Sequence, residues 1–248
     1  MRTARYALLL AGALAFSALA ARAGNDADVK PIVDKALQAL GGEKLAKAQA
    51  ATWKGQGKVR FMGTQFGYSG DWATQGPEQS RVALRLTLNN NSIDYLKAVN
   101  ATGAGVKINQ TPFMTTKQDK DEMREEAYWR WVVSLLPLRD KQFKLEPLGE
   151  LEVGTYKTVG LKVSRKGRRT IDLYFDKGTG VLVKSIHPVV DNTKEVLQET
   201  LWSELKMQNG LLRPTQMVMT RDGQPYAEGE LSDFQLVEKL DDSMFTLP

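Results

Sequence analysis

Apolar residues recur at three- and four-residue spacing early in the chain and at every second position through most of the rest. Val29, Ile32, Val33, Ala36, Leu37 and Leu40 line one face of a helix. Asp28 is the expected N-cap, and Pro31 lies in the first turn, where its missing N–H costs nothing. Gly41-Gly42 supplies the stop, with a short helical continuation expected over residues 43–49. From residue 52 to 88 the period becomes two, in long strands rich in Val, Phe, Tyr, Trp and Thr. Breaks fall at Met62-Gly63 and Gly76-Pro77. The same pattern predicts strands over 92–98, 105–109, 156–164, 170–175, 181–187, 196–207, 212–220 and 226–236.

The junctions between these runs carry turn chemistry: Lys166-Gly167, Asp176-Lys177-Gly178-Thr179-Gly180, Asn209-Gly210 and Asp222-Gly223. Tight turns make consecutive strands antiparallel neighbours. The expected class is therefore mainly β with α (α+β). A large curved antiparallel sheet of about ten to twelve strands forms an unclosed β-barrel, because sheets of that size curl. One helix interrupts the meander over residues 121–136, with Met123, Ala127, Trp131, Val132 and Leu135 on one face and Pro137 as its stop. The two helices act either as a lid over a hydrophobic cavity or as a plug that fills it, and periodicity does not choose between these. No Pro/Ser-rich linker, low-complexity tract or internal repeat divides the chain, so residues 24–248 are expected to form one domain.

The N-terminus changes the picture of where this sheet works. Arg2 and Arg5 precede an uncharged apolar run over residues 7–20 and then Ala21-Arg22-Ala23, the pattern of a secretory signal peptide, residues 1–23, cut after Ala23. A second cut is open after Ala18-Leu19-Ala20. The run is shorter than the roughly 20 residues a membrane-spanning helix needs, which favours cleavage over anchoring. Losing Arg2, Arg5 and Arg22 lowers 34 basic side chains to 31 against 29 acidic ones, a net charge of +2 instead of +5. The basic balance of the whole chain is thus largely the leader's, and no nucleic-acid partner is expected. Arg165, Lys166, Arg168 and Arg169 surround Gly167 as a basic hairpin tip, read as a solvated turn or as a contact for an anionic headgroup or partner. The chain has no cysteine, which removes disulfides, thiolate metal sites, a catalytic thiol and lipidation at a cleavage-site cysteine. A periplasmic or secreted protein that is not itself a lipoprotein is expected, most simply a monomer.

Catalytic chemistry is sparse. The sole histidine, His187, precedes Pro188 at an expected strand end and has no second histidine to build a metal pair. No nucleophile elbow or phosphate-binding loop is present. Asp241-Asp242 reads as turn chemistry rather than a paired acid and base. No catalytic residue, metal or cofactor is expected, and the chain is read as a non-enzyme. An apolar ligand site is the alternative chemistry. Its candidate lining is Phe61, Phe66, Tyr68, Trp72, Leu84 and Leu86 from the early strands, Met123, Trp131 and Leu135 from the helix, and Met217 and Met219 from a late strand. Methionine suits irregular ligands. Trp129 and Trp131 must point to different sides of their helix.

Four segments carry a family resemblance: "GYSGDWATQGPEQSRV", the hairpin "RRTIDLYFDKGTGVLVKSI", "NGLLRPTQMVM" and the terminal "KLDDSMFTLP". In this order, behind a leader and an N-terminal helix, the chain resembles the LolA/LolB-type periplasmic lipoprotein-carrier superfamily over essentially its whole mature length. The resemblance implies an unclosed barrel with helices as lid or plug, a cavity for acyl chains, and a role in lipoprotein sorting and outer-membrane biogenesis. Expected partners are a lipid, a lipoprotein or another hydrophobic ligand, with a membrane-associated protein as a second partner. Two positions depart from the pattern. Carriers place an arginine that ties the lid shut before the proline matching Pro77, where this chain has Gly76. Val106 follows Gly103 and Gly105 where an aromatic is usual. The rival function is an interaction or sensor module of the same fold with a filled cavity.

Overall fold

A computed structural model describes residues 26–248 apart from 43, 44, 46, 62 and 192. The expected leader lies outside the described residues, as do residues 43, 44 and 46 of the expected helical continuation; residues 47–49 of it form a turn and a lead into the sheet, where the Gln49 N–H donates to the Val237 carbonyl. The first helix, α1 (Asp26–Ala39), already includes position 28, so Asp28 is not its N-cap as expected. Thirteen strands follow: β1 (Ala50–Phe61), β2 (Thr64–Gln75), β3 (Gln79–Leu88), β4 (Asn91–Asn100), β5 (Gly103–Ile108), β6 (Thr111–Phe113), β7 (Lys144–Val153), β8 (Tyr156–Ser164), β9 (Ile171–Asp176), β10 (Leu182–Asp191), β11 (Lys194–Gln208), β12 (Leu211–Arg221) and β13 (Gln224–Val237). The second helix, α2 (Lys117–Val133), joins β6 to β7.

All thirteen strands belong to one sheet, ordered β6-β5-β4-β3-β2-β1-β13-β12-β11-β10-β9-β8-β7. Each hairpin pairs with its neighbour, and the last strand returns to pair antiparallel with the first. The two halves of the meander are thus zipped at a β1–β13 seam, and the chain's long crossover is α2. The sheet ends at β6 and β7 without closing. Both edges carry features that discourage further pairing. β6 is three residues long and contains Pro112; β7 breaks register between Pro147 and Gly149.

The curvature has local causes. Register shifts between Thr52 and Lys54 opposite Gln235 and Ser232, and Asp233 there takes a left-handed φ of 52°. Glu204 does the same in β11, at φ 55°. Such bulges bend a strand and increase its twist. At the seam Gly57 faces Gly229. A Cβ on Gly57 would lie 2.0 Å from the Glu228 carbonyl oxygen, and one on Gly229 would lie 2.2 Å from the Tyr68 hydroxyl. Glycine at both positions lets β1 and β13 approach while Tyr68 lies over them.

The helix α2 begins four residues before the expected position. Thr116 caps it: its hydroxyl accepts from the Asp119 N–H, and the Asp119 carboxylate accepts from the Thr116 N–H at 2.8 Å. It also ends early. The chain leaves through Leu135, at φ 64°, and Pro137 lies in a following 3-10 turn, Leu136–Arg139. The helix packs against β2, β3, β4 and β5 on one side and β9 and β10 on the other. The main core joins α1 and the end of α2 to β8, β9 and β10 through Leu37, Val132, Leu161, Leu173 and Phe175. A smaller core sets Met123 and Ala127 of α2 against Val99, Ala104 and Val106.

Candidate functional site

Strand alternation and the curl of the sheet turn one set of side chains from β1–β4 and β10–β13 toward α2. A cavity of about 270 Å³ lies there. That is just under the roughly 300 Å³ at which small-molecule pockets begin. Its apolar wall is built from interlocked aromatics. Trp53 and Trp72 stack at 6.2 Å, Tyr68 meets Trp72 edge-on at 6.0 Å, and Phe61 meets Tyr95 edge-on at 6.0 Å. Trp129 of α2 stacks on Trp202 at 6.5 Å and on His187 at 5.1 Å, and its indole N–H donates to the Ser185 hydroxyl.

Seven of the side chains expected from the sequence meet at this wall: Phe61, Tyr68, Trp72, Leu84, Leu86, Met217 and Met219. Four stand elsewhere. Phe66 packs edge-on against Phe61 without joining the cavity lining. Met123 belongs to the smaller core, Leu135 to the main core, and Trp131 packs against the main core's flank. The physical reason is that α2 is buried on several sides, with Tyr128, Trp129, Arg130 and Val132 all covered. A helix wedged between two arms of a sheet has no single apolar stripe. Its cavity-facing residues are Glu122, Glu126, Trp129, Arg130 and Val133.

Charge enters this apolar space at three places. Glu126 accepts from Lys97 of β4 and from Arg130 one helical turn on. Burial pushes the Glu126 carboxyl up, but Arg130 and Lys97 outweigh it and hold the group down at about 2. Lys97 itself is lowered by burial. Arg221 of β12 donates to Asp191 and Gln198, both at 3.1 Å, and lies 3.5 Å from the centre of the Tyr226 ring. Arg213, at the other end of β12, lies 3.7 Å from the centre of the Phe234 ring. His187 is 5% exposed, and burial pushes it down to about 3, so it is neutral at physiological pH. Its Nδ1 has no partner among the described residues. Such an imidazole is a packed ring rather than a poised base.

None of these charged residues was singled out from sequence, although a signal existed. Lys97 shares strand parity with Tyr95 and Val99, and Arg221 shares it with Met217 and Met219. A cation in phase with apolar inward positions points inward.

The basic tip of the β8–β9 hairpin is not a free turn. Arg168 pairs with Glu125 of α2 at 3.1 Å and with Glu78 of the β2–β3 turn at 3.2 Å, and Arg169 pairs with Glu122 at 2.7 Å. The hairpin, α2 and the β2–β3 turn are thereby clamped together next to Gly76-Pro77.

No protein-family model matches the chain, and no curated sequence is similar to it. The open, curled antiparallel sheet crossed by α2 has the LolA-superfamily fold. A LolA superfamily protein from Nitrosomonas europaea aligns with a TM-score of 0.54 at 14% identity, over 88% of this chain and 97% of its own. A DUF1329 family protein from Desulfovibrio piger aligns at 0.52 and 13%, over 88% and 97%. An outer membrane lipoprotein-sorting protein domain from Vibrio parahaemolyticus aligns at 0.52 and 9%, over 89% and 97%. At such identities the likeness is one of fold.

Proposed function

We propose that this protein is a non-enzymatic binding or carrier protein for a lipid, the acyl chains of a lipoprotein or another hydrophobic ligand, working in the periplasm or outside the cell. The observation that supports the reading is the cavity wall. Trp53, Phe61, Trp72, Leu84 and Met217 are apolar yet only half-buried, with free space in front of them. Apolar burial is worth about 0.8 kcal/mol per methylene, so a ten-carbon segment seated there gains roughly 8 kcal/mol. In this reading α2 is the cover, and opening it separates Glu126 from Lys97 and Glu122 and Glu125 from the hairpin arginines. The leader expected from the sequence, and the lipoprotein-sorting description borne by one structural neighbour, point the same way.

Native mass spectrometry with organic extraction, on protein purified from its own compartment without detergent, tests the reading. A stoichiometric lipid is expected, and it is expected to be lost in Leu84→Asp, whose charge would face the cavity. A clean apo mass, with no uptake of an added fluorescent fatty acid, would overturn it and favour a protein-interaction module.

A further inference from the structure

Four cations line the cavity, and three of them have an acceptor within the protein. Lys97 and Arg130 share Glu126, and Arg130 also donates to the Ser80 hydroxyl. Arg221 has Asp191 and Gln198. Arg213 has none: among the described residues it donates no hydrogen bond and forms no ion pair, and its guanidinium lies over the face of Phe234. Its neighbour Gln208 is already committed, donating to the Leu231 carbonyl and accepting from the Phe234 N–H. Burial alone pushes Arg213 down to about 10, and no carboxylate offsets it. A guanidinium presents five donors in a planar fork and stays charged; Arg213 is half-buried, and its donors open into the cavity space uncommitted to any protein acceptor.

Resting on the carrier reading above, we infer that the ligand is an anionic amphiphile, with its acid head on Arg213 and its hydrocarbon tail along the aromatic wall toward Arg221. Arg221 lies eight positions after Arg213 on β12, at most about 26 Å away at 3.3 Å per residue, which bounds the extended chain that lies between them. The intervening inward side chains, Met217 and Met219, are apolar and adaptable. The Arg221 end offers no comparable vacancy, because its guanidinium donors are already shared between Asp191 and Gln198. A carboxylate and a phosphate monoester both suit a bidentate guanidinium.

Delipidated protein titrated with hexadecanoate, hexadecyl phosphate and hexadecanol, read by the fluorescence of the wall tryptophans, separates the possibilities. At least one anion is expected to bind tighter than the alcohol by roughly tenfold or more, the usual scale of a charge-assisted hydrogen bond. Which anion does so identifies the head group as carboxylate or phosphate. Arg213→Gln is expected to bring both anions to the affinity that the same variant shows for hexadecanol, and Arg213→Lys is expected to keep part of the anion advantage. Equal affinity for the three probes, or an advantage that survives Arg213→Gln, would overturn the inference and leave the carrier reading intact. Failure of all three probes to bind would instead remove the carrier reading, and this one with it.

Discussion

The two arms of the sheet alternate apolar and polar residues in the same way, yet they end in different states. In β8 and β9, and at Val183 of β10, the inward side chains are sealed: Leu161, Val163, Leu173 and Val183 are fully covered, and Ile171 and Phe175 nearly so. In β1, β2 and β3 the inward Trp53, Val59, Phe61, Trp72 and Leu84 are only half-buried. The residue types do not differ in kind. What differs is the cover, since α1 and the end of α2 seat directly on the first arm while α2 crosses the second at a distance that leaves the cavity. A core and a ligand wall therefore share one strand pattern and are separated only by what lies over them.

The comparison breaks most visibly in paired truncations of the same residue type. Phe175→Ala removes a ring that is 1% exposed inside close packing, and is expected to cost about 3–5 kcal/mol. Phe61→Ala removes a half-buried ring from a wall that already faces space, and is expected to cost less than about 1.5 kcal/mol. Urea unfolding of the two variants checks this directly. Equal losses would mean that the cavity wall is packed like the core.

How much of this was legible beforehand follows from the same contrast. Strand limits at Met62-Gly63, Gly76-Pro77 and Asn209-Gly210 were readable because each turn needs its own residues, and left-handed φ values at Gly63, Gly76 and Asn209 agree. β7 was missed because Pro147 and Gly149 argue against a strand, although at a sheet edge both are tolerated. β6 is too short to show a period. The first turn of α2 was missed because its capping box uses Asp119 in place of the usual Glu or Gln. On the strands, parity alone brought Phe61, Tyr68, Trp72, Leu84, Leu86, Met217 and Met219 to the cavity, and it missed at Phe66, which shares phase with Tyr68 and Trp72 but packs on Phe61 outside the lining. On α2 it failed, since Trp129 and Trp131 both find apolar surroundings and only the tertiary wedge decides which one meets the cavity. The inward cations were overlooked because a charge on a strand is ordinarily solvated.

His187 sharpens the boundary between the arms, for it sits on β10, between the sealed β8 and β9 and the cavity, and stacks on Trp129, which lines the cavity. Its folded-state value, lowered by burial from 6.5 to about 3, means that between those limits the unfolded chain binds a proton that the folded one does not. Stability is therefore expected to be full above pH 6.5 and to fall by about 1.4 kcal/mol per pH unit below it. Glu126 acts in the same direction but in a lower window, its contribution present above 4.5 and lost as pH falls toward 2. Between pH 6.5 and 5 the slope should thus belong mainly to His187, and His187→Phe should flatten it. Urea midpoints at several pH values measure this; an unchanged slope in the variant would place the titration elsewhere and the imidazole in water.

The smallest effect concerns the clamp that spans the arms. Glu78, on the β2–β3 turn, is half-exposed and reaches Arg168 on the β8–β9 turn. Arg168 keeps Glu125 at 3.1 Å and lies 5.7 Å from the centre of the Tyr128 ring even when Glu78 is neutral. Glu78→Gln is accordingly expected to cost less than about 1 kcal/mol at physiological salt, the range of exposed ion pairs. Amide hydrogen exchange in α2 should stay as slow as in the unmodified protein. The arms would then be held together by the β1–β13 seam and by α2, with the surface pair only aligning the two turns. Faster exchange confined to α2 would reverse that order. It would mean that Glu78 acts through Arg168 on α2.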